Sequence, residues 1–327
     1  EGLDAPSAKW MVTNKFGRQP AKLRIQALYS AAPYSSADAI TLADFQDMTG
    51  FTAREAAPGV TADLKPSGVQ DRIGMTTAQL AASREGSAKP EQRSEEFSSF
   101  EHGQRKTSGG DPAWAKIGTV FSPTKDLSKN RALGLWVLGD GRGEVLNFQF
   151  RNPSHMVGGI ADHYIVVDFT GWRYFELIEP EGDRIDDYTW PYGQNAYALY
   201  RELVDPAHIE QFNVWVNNVP AGNQVSCLIS PLRALPIVAA KLANPSVTIN
   251  GKTVVFPVSL ETGQYIEYYS ADDCKLYGAD GNFISDVRPT GDAPTLSPGK
   301  NDAAFSCDPP PGDLNARAIV TVISEGE

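Results

Sequence analysis

The sequence has few cysteines, fewer basic than acidic residues and no long apolar run. Only three of its 327 residues are cysteine, and no CxxC pair or Cys/His cluster occurs, so we expect no zinc site. No apolar stretch approaches the roughly 20 residues that a membrane-spanning helix needs. Lysine and arginine (29) are outnumbered by aspartate and glutamate (40), which gives a formal net charge of −11. This excess of acid argues against a nucleic-acid partner.

The common nucleotide and hydrolase signatures are also missing. The sequence contains no Walker motif and no GxSxG motif. Residues 139–143 read Gly-Asp-Gly-Arg-Gly and partly resemble a phosphate-binding loop, but such a loop must open a helix, and a strand-like run follows here. We therefore expect no nucleotide site.

Glycine, proline and strand-like runs are abundant instead. Glycine (29) and proline (23) together form about 16% of the chain, above the roughly 12% of an average soluble protein. Alternating apolar and polar runs recur between Gly/Pro turns, which is typical of sandwiches and jelly rolls. The sequence therefore predicts an all-β protein, a jelly-roll β-sandwich followed by a smaller β-sandwich.

The chain length suggests about two domains. We assign residues 33–240 to the jelly roll and residues 241–327 to the small C-terminal β-sandwich. Residues 21–29 alternate like a strand but stand alone before a Pro/Ser-rich break. We therefore interpret residues 1–32 as the end of an upstream domain or a linker.

Turn residues between strand-like runs predict three hairpins in the jelly roll. The paired runs are 132–138 with 144–151, 163–169 with 172–178, and 209–216 with 224–229. The cysteines leave two alternatives open. Cys274 and Cys307 form a disulfide if the protein is exported, or Cys227, Cys274 and Cys307 are buried free thiols.

Three segments resemble a carbohydrate-binding module of the galactose-binding-like jelly-roll type. Residues 42–47 have the acidic-Phe-acidic start of such modules. Residues 132–150 resemble their central pair, with an apolar-Trp-Val strand, a Gly-Asp-Gly turn and a Phe-Gln strand. Residues 171–175, Gly-Trp-Arg-Tyr-Phe, resemble the strand that follows. The C-terminal block resembles the small accessory β-sandwiches of large polysaccharide-degrading enzymes.

The resemblance implies a non-catalytic, glycan-binding region of a larger polysaccharide-degrading enzyme. It implies a poly- or oligosaccharide partner, a catalytic domain upstream in the same chain, and a secreted, periplasmic or cell-surface location. Many such modules hold a structural Ca²⁺ through acidic residues of the first strand and an Asp of the last. Asp44 and Asp47 match the first set, whereas residues 225–231 lack the Asp, so backbone carbonyls would have to complete the site.

Alternation along two strands points to a sugar-binding face. Side chains on one strand alternate between faces, which places Asn147, Gln149 and Arg151 together, and likewise Trp215 and Asn217. Amide and guanidinium groups suit sugar hydroxyls, and an indole offers a flat surface for a pyranose ring. An ordinary solvated sheet face is the alternative.

Four further residues are candidates for ligand binding. His155 lies in the Gly-rich loop 152–162, which leaves directly from Arg151, and His163 shares a face with apolar strand residues. The segment 186–192 is rich in acidic and aromatic residues, and it offers Trp190 and Tyr192 for stacking on a sugar.

The alternative function is that the jelly roll is itself an enzyme, a polysaccharide lyase or a glycoside hydrolase. In a lyase, Asn147, Gln149 or Arg151 would neutralise a uronate, with the base and acid drawn from His155, His163, Tyr164 and Tyr192. A glycoside hydrolase needs two carboxylates about 5–10 Å apart. The available carboxylates are Asp168, Glu176, Asp186 and Asp187, and no local pattern selects a pair.

Overall fold

The computed structural model describes residues 7–86, 113–152, 159–178 and 204–325. The chain divides into two compact units, a larger one of Tyr34–Pro236 and a smaller one of Glu1–Pro33 with Ile237–Glu327. Strands dominate both units, which confirms the all-β prediction. Within the described ranges, no helix is long and apolar enough to cross a membrane.

The strands are numbered in chain order. Those that precede the larger unit are β1 (Ser7–Asn14), β2 (Gln19–Pro20), β3 (Lys22–Ala27) and β4 (Ser30–Ala31). Those of the larger unit are β5 (Ile40–Ala43), β6 (Ala53–Ala56), β7 (Val60–Gln70), β8 (Thr76–Arg84), β9 (Trp114–Lys125), β10 (Ala132–Asp140), β11 (Val145–Asn152), β12 (Gly159–Val166), β13 (Thr170–Ile178), β14 (Ile209–Asn217), β15 (Gln224–Ile229) and β16 (Leu232–Leu235). A short 3₁₀ turn, Pro206–His208, precedes β14.

The remaining strands return to the smaller unit. They are β17 (Ile237–Val238), β18 (Leu242–Ala243), β19 (Ser246–Ile249), β20 (Lys252–Val255), β21 (Ser259–Leu260), β22 (Tyr265–Ser270), β23 (Asp273–Tyr277), β24 (Phe283–Asp286), β25 (Thr290–Gly291), β26 (Thr295–Leu296), β27 (Gly299–Ser306) and β28 (Ala318–Ile323).

The larger unit is a jelly-roll sandwich of two antiparallel sheets. One sheet has the order β5-β16-β10-β15-β8-β7, with β13 on the other edge of β10, and the second has the order β12-β11-β14-β9-β6. From β8 to β11, consecutive strands alternate between the two sheets, as expected for a jelly roll. The fold class predicted for this unit is confirmed.

The three predicted hairpins are wrong, although their strands exist. β10 and β11 lie in different sheets. The same is true of β12 and β13, and of β14 and β15. The short connections between them therefore carry the chain from one sheet to the other. β11 pairs instead with β12 on one side and β14 on the other. A tight turn signals that the chain reverses, and it does not specify which strand becomes the neighbour.

The core of the larger unit lies between the two sheets. β11 and β14 each contribute every second residue, including Leu146, Phe148, Phe212 and Val214, all at most 1% exposed. This alternation follows from the pleat of a strand. It also fixes which side chains point to the opposite face of the five-stranded sheet.

The smaller unit is a second β-sandwich, and residues 7–32 belong to it. Its two main sheets have the orders β1-β27-β19-β20-β25 and β24-β23-β22-β3-β28. β3 is a central strand, with Ile25 opposite both Ile266 and Val320. The prediction that this segment ends an upstream domain or serves as a linker is therefore wrong. Its alternating buried residues find their partners in strands much later in the chain.

All three cysteines are buried free thiols. Cys274 and Cys307 both contribute to the core of the smaller unit. Burial raises the pKa of Cys274 to about 12 and that of Cys307 to about 11. Of the two alternatives, the structure therefore has the free thiols, in their unreactive protonated form.

Candidate functional site

A polar surface covers the face of the five-stranded sheet that points away from the core. Because residues 146, 148 and 150 belong to the core, Asn147, Gln149 and Arg151 point to this opposite face. Neighbouring strands add residues in register. These are Asp162 and Tyr164 from β12, and Asn213 and Trp215 from β14. We refer to these seven residues as the polar face.

Asp162 is the hub of this surface. Its Oδ1 accepts hydrogen bonds from Asn147 Nδ2 at 2.8 Å and from Gln149 Nε2 at 2.7 Å. Its Oδ2 accepts a hydrogen bond from the Tyr164 hydroxyl at 3.1 Å. Asp162, Asn147 and Gln149 are all buried. One carboxylate therefore fixes the orientation of two amides and a phenol, and such charge-assisted hydrogen bonds are stronger than neutral ones.

The network continues from Gln149 to the next strand. Because Gln149 Nε2 faces Asp162, its Oε1 points the other way and accepts hydrogen bonds from Asn213 Nδ2 and Trp215 Nε1, both at 3.3 Å. The Trp215 ring is half-buried and packs against Trp114, with ring centroids 5.2 Å apart. Lys116 Nζ lies 5.5 Å from the Trp215 ring centroid and 2.5 Å from Glu55 Oε1. The indole is thus held at both its edge and its face.

Gly118 makes room for the Asn213 side chain. Gly118 lies opposite Asn213 in the pairing of β9 with β14. A Cβ atom at this position would lie 2.1 Å from Asn213 Oδ1 and 3.2 Å from the Phe212 carbonyl oxygen. A glycine is therefore required here for close approach, because the site needs the amide of Asn213 in that space.

Replacing Gly118 with alanine is expected to lower the free energy of unfolding by about 1–3 kcal/mol, because the new methyl group displaces Asn213. Urea denaturation followed by tryptophan fluorescence measures the change. Gly68→Ala is the control, since a Cβ there meets nothing within 4 Å. The double variant Gly118→Ala/Asn213→Ala should regain stability. Equal stabilities of Gly118→Ala and the wild type would contradict the packing argument.

Arg151 places a guanidinium at the end of the polar face. Its side chain is half-buried, and within the described part of the chain its buried Nε atom has no hydrogen-bond partner. Its cross-strand neighbours are Ile160 and Gln211, neither of which is acidic. A guanidinium that is partly removed from water without a partner is costly, so this one suits an anionic or hydroxyl-rich ligand.

The structure brings together four of the residues predicted to bind a ligand, Asn147, Gln149, Arg151 and Trp215. Asn217 points to the same side, but its Nδ2 donates to the Val145 carbonyl at 3.2 Å and it is buried. It therefore stabilises the end of β14. The predicted residues His155, Trp190 and Tyr192 lie outside the described ranges.

His163 is wrongly predicted as a ligand-binding residue. Its side chain is 2% exposed and points to the core, where Nδ1 lies 2.9 Å from the Phe148 carbonyl oxygen. Its ring packs edge-on against Phe150, with centroids 5.6 Å apart. The alternation of β12 explains this position, because His163 shares a face with the buried Ile165.

Asp162 and Asn213 are the central residues that the sequence prediction missed. The sequence predicts a strand that begins at residue 163 and places Asp162 in the preceding loop, whereas β12 begins at Gly159. Asn213 lies two residues before Trp215 on the same strand, so strand alternation alone is enough to place both side chains on one face.

Asp44 and Asp47, the predicted calcium ligands, are exposed and stabilise their own turns. Asp44 Oδ1 accepts the N–H of Gln46 at 3.0 Å, and Asp47 Oδ1 accepts the N–H and the hydroxyl of Thr49 at 2.9 and 2.7 Å. The hydrogen bonds from Thr49 hold the pKa of Asp47 below its usual value. Among the described residues, no group of three or more His, Cys, Asp or Glu side chains suits a metal. These residues do not fit a Ca²⁺ site at this turn.

Comparisons with known proteins find similarity in structure alone. No family model and no curated protein matches the chain. A family 11 carbohydrate-binding module from Clostridium thermocellum, in complex with a β-1,3-1,4-mixed-linked tetrasaccharide, is similar at 12% identity and a TM-score of 0.38, over 62% of this chain and 97% of that one. An exo-β-agarase is similar at 12% identity and a TM-score of 0.34, over 60% of this chain and 24% of that one. At these levels, function has to be inferred from the polar face.

Proposed function

We propose that the larger unit binds a poly- or oligosaccharide on the polar face. The observation that supports this function is the network in which Asp162 orients Asn147, Gln149 and Tyr164, next to the half-buried ring of Trp215. Preorganised polar groups beside an aromatic ring match the two needs of a sugar, which are partners for its hydroxyl groups and a surface for its apolar face.

The hydrogen bonds of the network leave donors for a ligand. Asn147 Nδ2, Gln149 Nε2 and Asn213 Nδ2 each use one N–H within the network. Each amide nitrogen has two hydrogens, so a second N–H of fixed direction is left for a sugar hydroxyl. Because the amides cannot rotate without breaking these bonds, binding costs little side-chain entropy.

A binding role fits this face better than catalysis does. His163, a candidate lyase base, is in the core, and Glu176 lies in the other sheet, so neither reaches the polar face. Tyr164 and Asp168 are the remaining described candidates for proton transfer. The Tyr164 hydroxyl donates to Asp162, and Asp168 is exposed beyond the end of β12. We include in the proposal a catalytic domain elsewhere in the same protein and a location outside the cytoplasm, where large polysaccharides are met.

Replacing Trp215 with alanine tests the proposal. The wild type should be retarded in native gels that contain a glycan, and the panel should include neutral and uronate-containing polysaccharides. Trp215→Ala should weaken this retardation at least about tenfold, because it removes the stacking surface. Trp136→Ala is the matched control, since Trp136 is also half-buried but lies in the other sheet.

Two results would overturn the binding proposal. One is equal retardation of Trp215→Ala and the wild type, which would show that the binding site is not on the polar face. The other is the absence of retardation by any glycan. Ultraviolet absorbance is followed in the same samples, because a lyase generates an unsaturated, absorbing product. A rise in absorbance with wild-type protein would make the polar face an active site.

A further inference from the structure

The side chains of the polar face are arranged in rows that run across the strands. Trp215 lies opposite Asn147 in the first row, and Asn213 lies opposite Gln149 in the second. The third row, at the end of β11, consists of Ile160, Arg151, Gln211 and Val120. Arg151 is the single charged residue of this third row. The face therefore has an aromatic ring at one end and a cation at the other.

The positive charge of Arg151 is not neutralised within its row. Its neighbours Ile160 and Gln211 carry no charge, and within the described ranges its buried Nε atom has no hydrogen-bond partner. The guanidinium has thus lost part of its water shell without gaining an acceptor from the protein at this atom. An anion bound to its remaining N–H groups would offset this cost, because charge-assisted hydrogen bonds are about twice as strong as neutral ones.

The other charged groups of this surface are already engaged. Lys116 lies beside Trp215, and its Nζ is 2.5 Å from Glu55 Oε1. Asp162 accepts hydrogen bonds from three side chains with its two carboxylate oxygens. Arg151 is therefore the position on the polar face that best accommodates an external charge of opposite sign.

We infer that Arg151 binds the acidic group of a sugar, either a carboxylate or a sulfate ester, and that the ligand of the polar face is an acidic poly- or oligosaccharide. The planar guanidinium offers paired N–H groups that match such oxyanions. This inference rests on the proposed glycan-binding function and narrows its substrate class. The formal net charge of −11 repels polyanions at long range. Recognition of an acidic sugar therefore requires a local cation such as Arg151.

The spacing of Arg151 from Trp215 indicates a ligand longer than one sugar unit. Asn147, which lies opposite Trp215, precedes Arg151 by four residues on the same strand. Four residues of a strand span about 14 Å. Because this length exceeds the width of a pyranose ring, the ring stacked on Trp215 and the acidic group at Arg151 belong to different units of one chain. An acidic monosaccharide should therefore bind far more weakly than an oligosaccharide of the same sugar.

The test uses two pairs of polymers that differ only in their acidic groups. One pair is polygalacturonate and its carboxyl-reduced form, and the other is a sulfated galactan and its desulfated form. Native gels that contain graded amounts of each polymer give the affinities, after melting curves have shown that each variant is folded. We expect the wild type to bind the acidic member of at least one pair about tenfold more tightly, or better, because one charge-assisted contact supplies the difference.

Arg151→Gln should reduce this ratio of affinities to about one. Arg151→Lys retains the charge but not the planar fork, so it should retain part of the preference. Arg54→Gln is the matched control. It removes the same charge from the same sheet, where Arg54 lies 3.9 Å from Asp63, and it should keep the full preference. The pair in which Arg151→Gln loses the preference shows whether the acidic group is a carboxylate or a sulfate.

The inference is overturned if the wild type shows no preference in either pair, or if Arg151→Gln keeps the preference. In both cases, retardation by any of the four polymers would leave the proposed glycan-binding function intact. Absence of retardation by all four polymers, and by the neutral glycans tested above, would overturn both the inference and that function.

Discussion

Asp162→Ala is expected to abolish glycan binding and to lower the free energy of unfolding by about 3 kcal/mol. The substitution removes the acceptor of three side-chain donors, and two of those donors, Asn147 and Gln149, are buried. Buried amides that lose their partner cost their full desolvation penalty. The amides would also lose the orientation that a sugar requires.

Urea denaturation measures the stability of Asp162→Ala, and gel retardation at a temperature well below melting measures its binding. Asp168→Ala is the control, since Asp168 is an exposed acid just beyond the same strand. It should change neither quantity. Asp162→Asn can keep a carbonyl oxygen at the Oδ1 position, where both amides donate, and place its NH₂ group at the Oδ2 position against the Tyr164 hydroxyl, so it should lose less stability and less binding than Asp162→Ala. A stable and fully binding Asp162→Ala protein would show that the network does not organise the site.

Phe212→Ala is expected to lower the free energy of unfolding by about 4 kcal/mol without removing glycan binding. Phe212 is fully buried, and its ring packs against Phe51 and Phe150 with centroids 6.3 and 5.8 Å apart. Its loss leaves a large cavity on the core side of β14. Asn213 and Trp215 occupy the opposite side of the same strand, so the polar face should survive in the folded protein.

The same denaturation and retardation experiments apply to Phe212→Ala. Val120→Ala is the control, because Val120 is 63% exposed on the neighbouring strand, and it should change stability by no more than about 0.5 kcal/mol. Phe212→Ala and Asp162→Ala are thus expected to lose similar amounts of stability. Phe212→Ala should still bind glycan, whereas Asp162→Ala should not. Loss of binding in folded Phe212→Ala would mean that the core and the polar face are coupled.

The alternation of apolar and polar residues along the sequence predicted much of the fold and about half of the residues of the polar face. The strands around residues 145–151 and 209–216 lie where the period of two placed them, and so does the shared face of Asn147, Gln149 and Arg151. What alternation could not predict is pairing. The same glycine turns serve hairpins and crossings between sheets, and the partners of β3 lie almost at the other end of the chain.

The hub of the site was missed for a different reason. Residues 159–162 read Gly-Ile-Ala-Asp, and three of these four residue types are depleted in strands. They form the start of β12 because β11 offers them a complete hydrogen-bonding edge, with Asn152 opposite Gly159 and Gln149 opposite Asp162. A tertiary contact thus overrides local propensity at the position that organises the polar face.

In the sequence, the larger unit is inserted into the smaller one between two strands that pair with each other. The chain leaves after β4 and returns as β17, and these two strands pair, with Ala31 opposite Ile237 and Ser30 opposite Val238. The jelly roll is therefore an insertion whose two ends emerge next to each other. It can be excised as Tyr34–Pro236, and a short loop that joins residues 33 and 237 should leave a continuous smaller domain. Removal of the residues that precede residue 33, by contrast, would delete β3, a central strand of that domain.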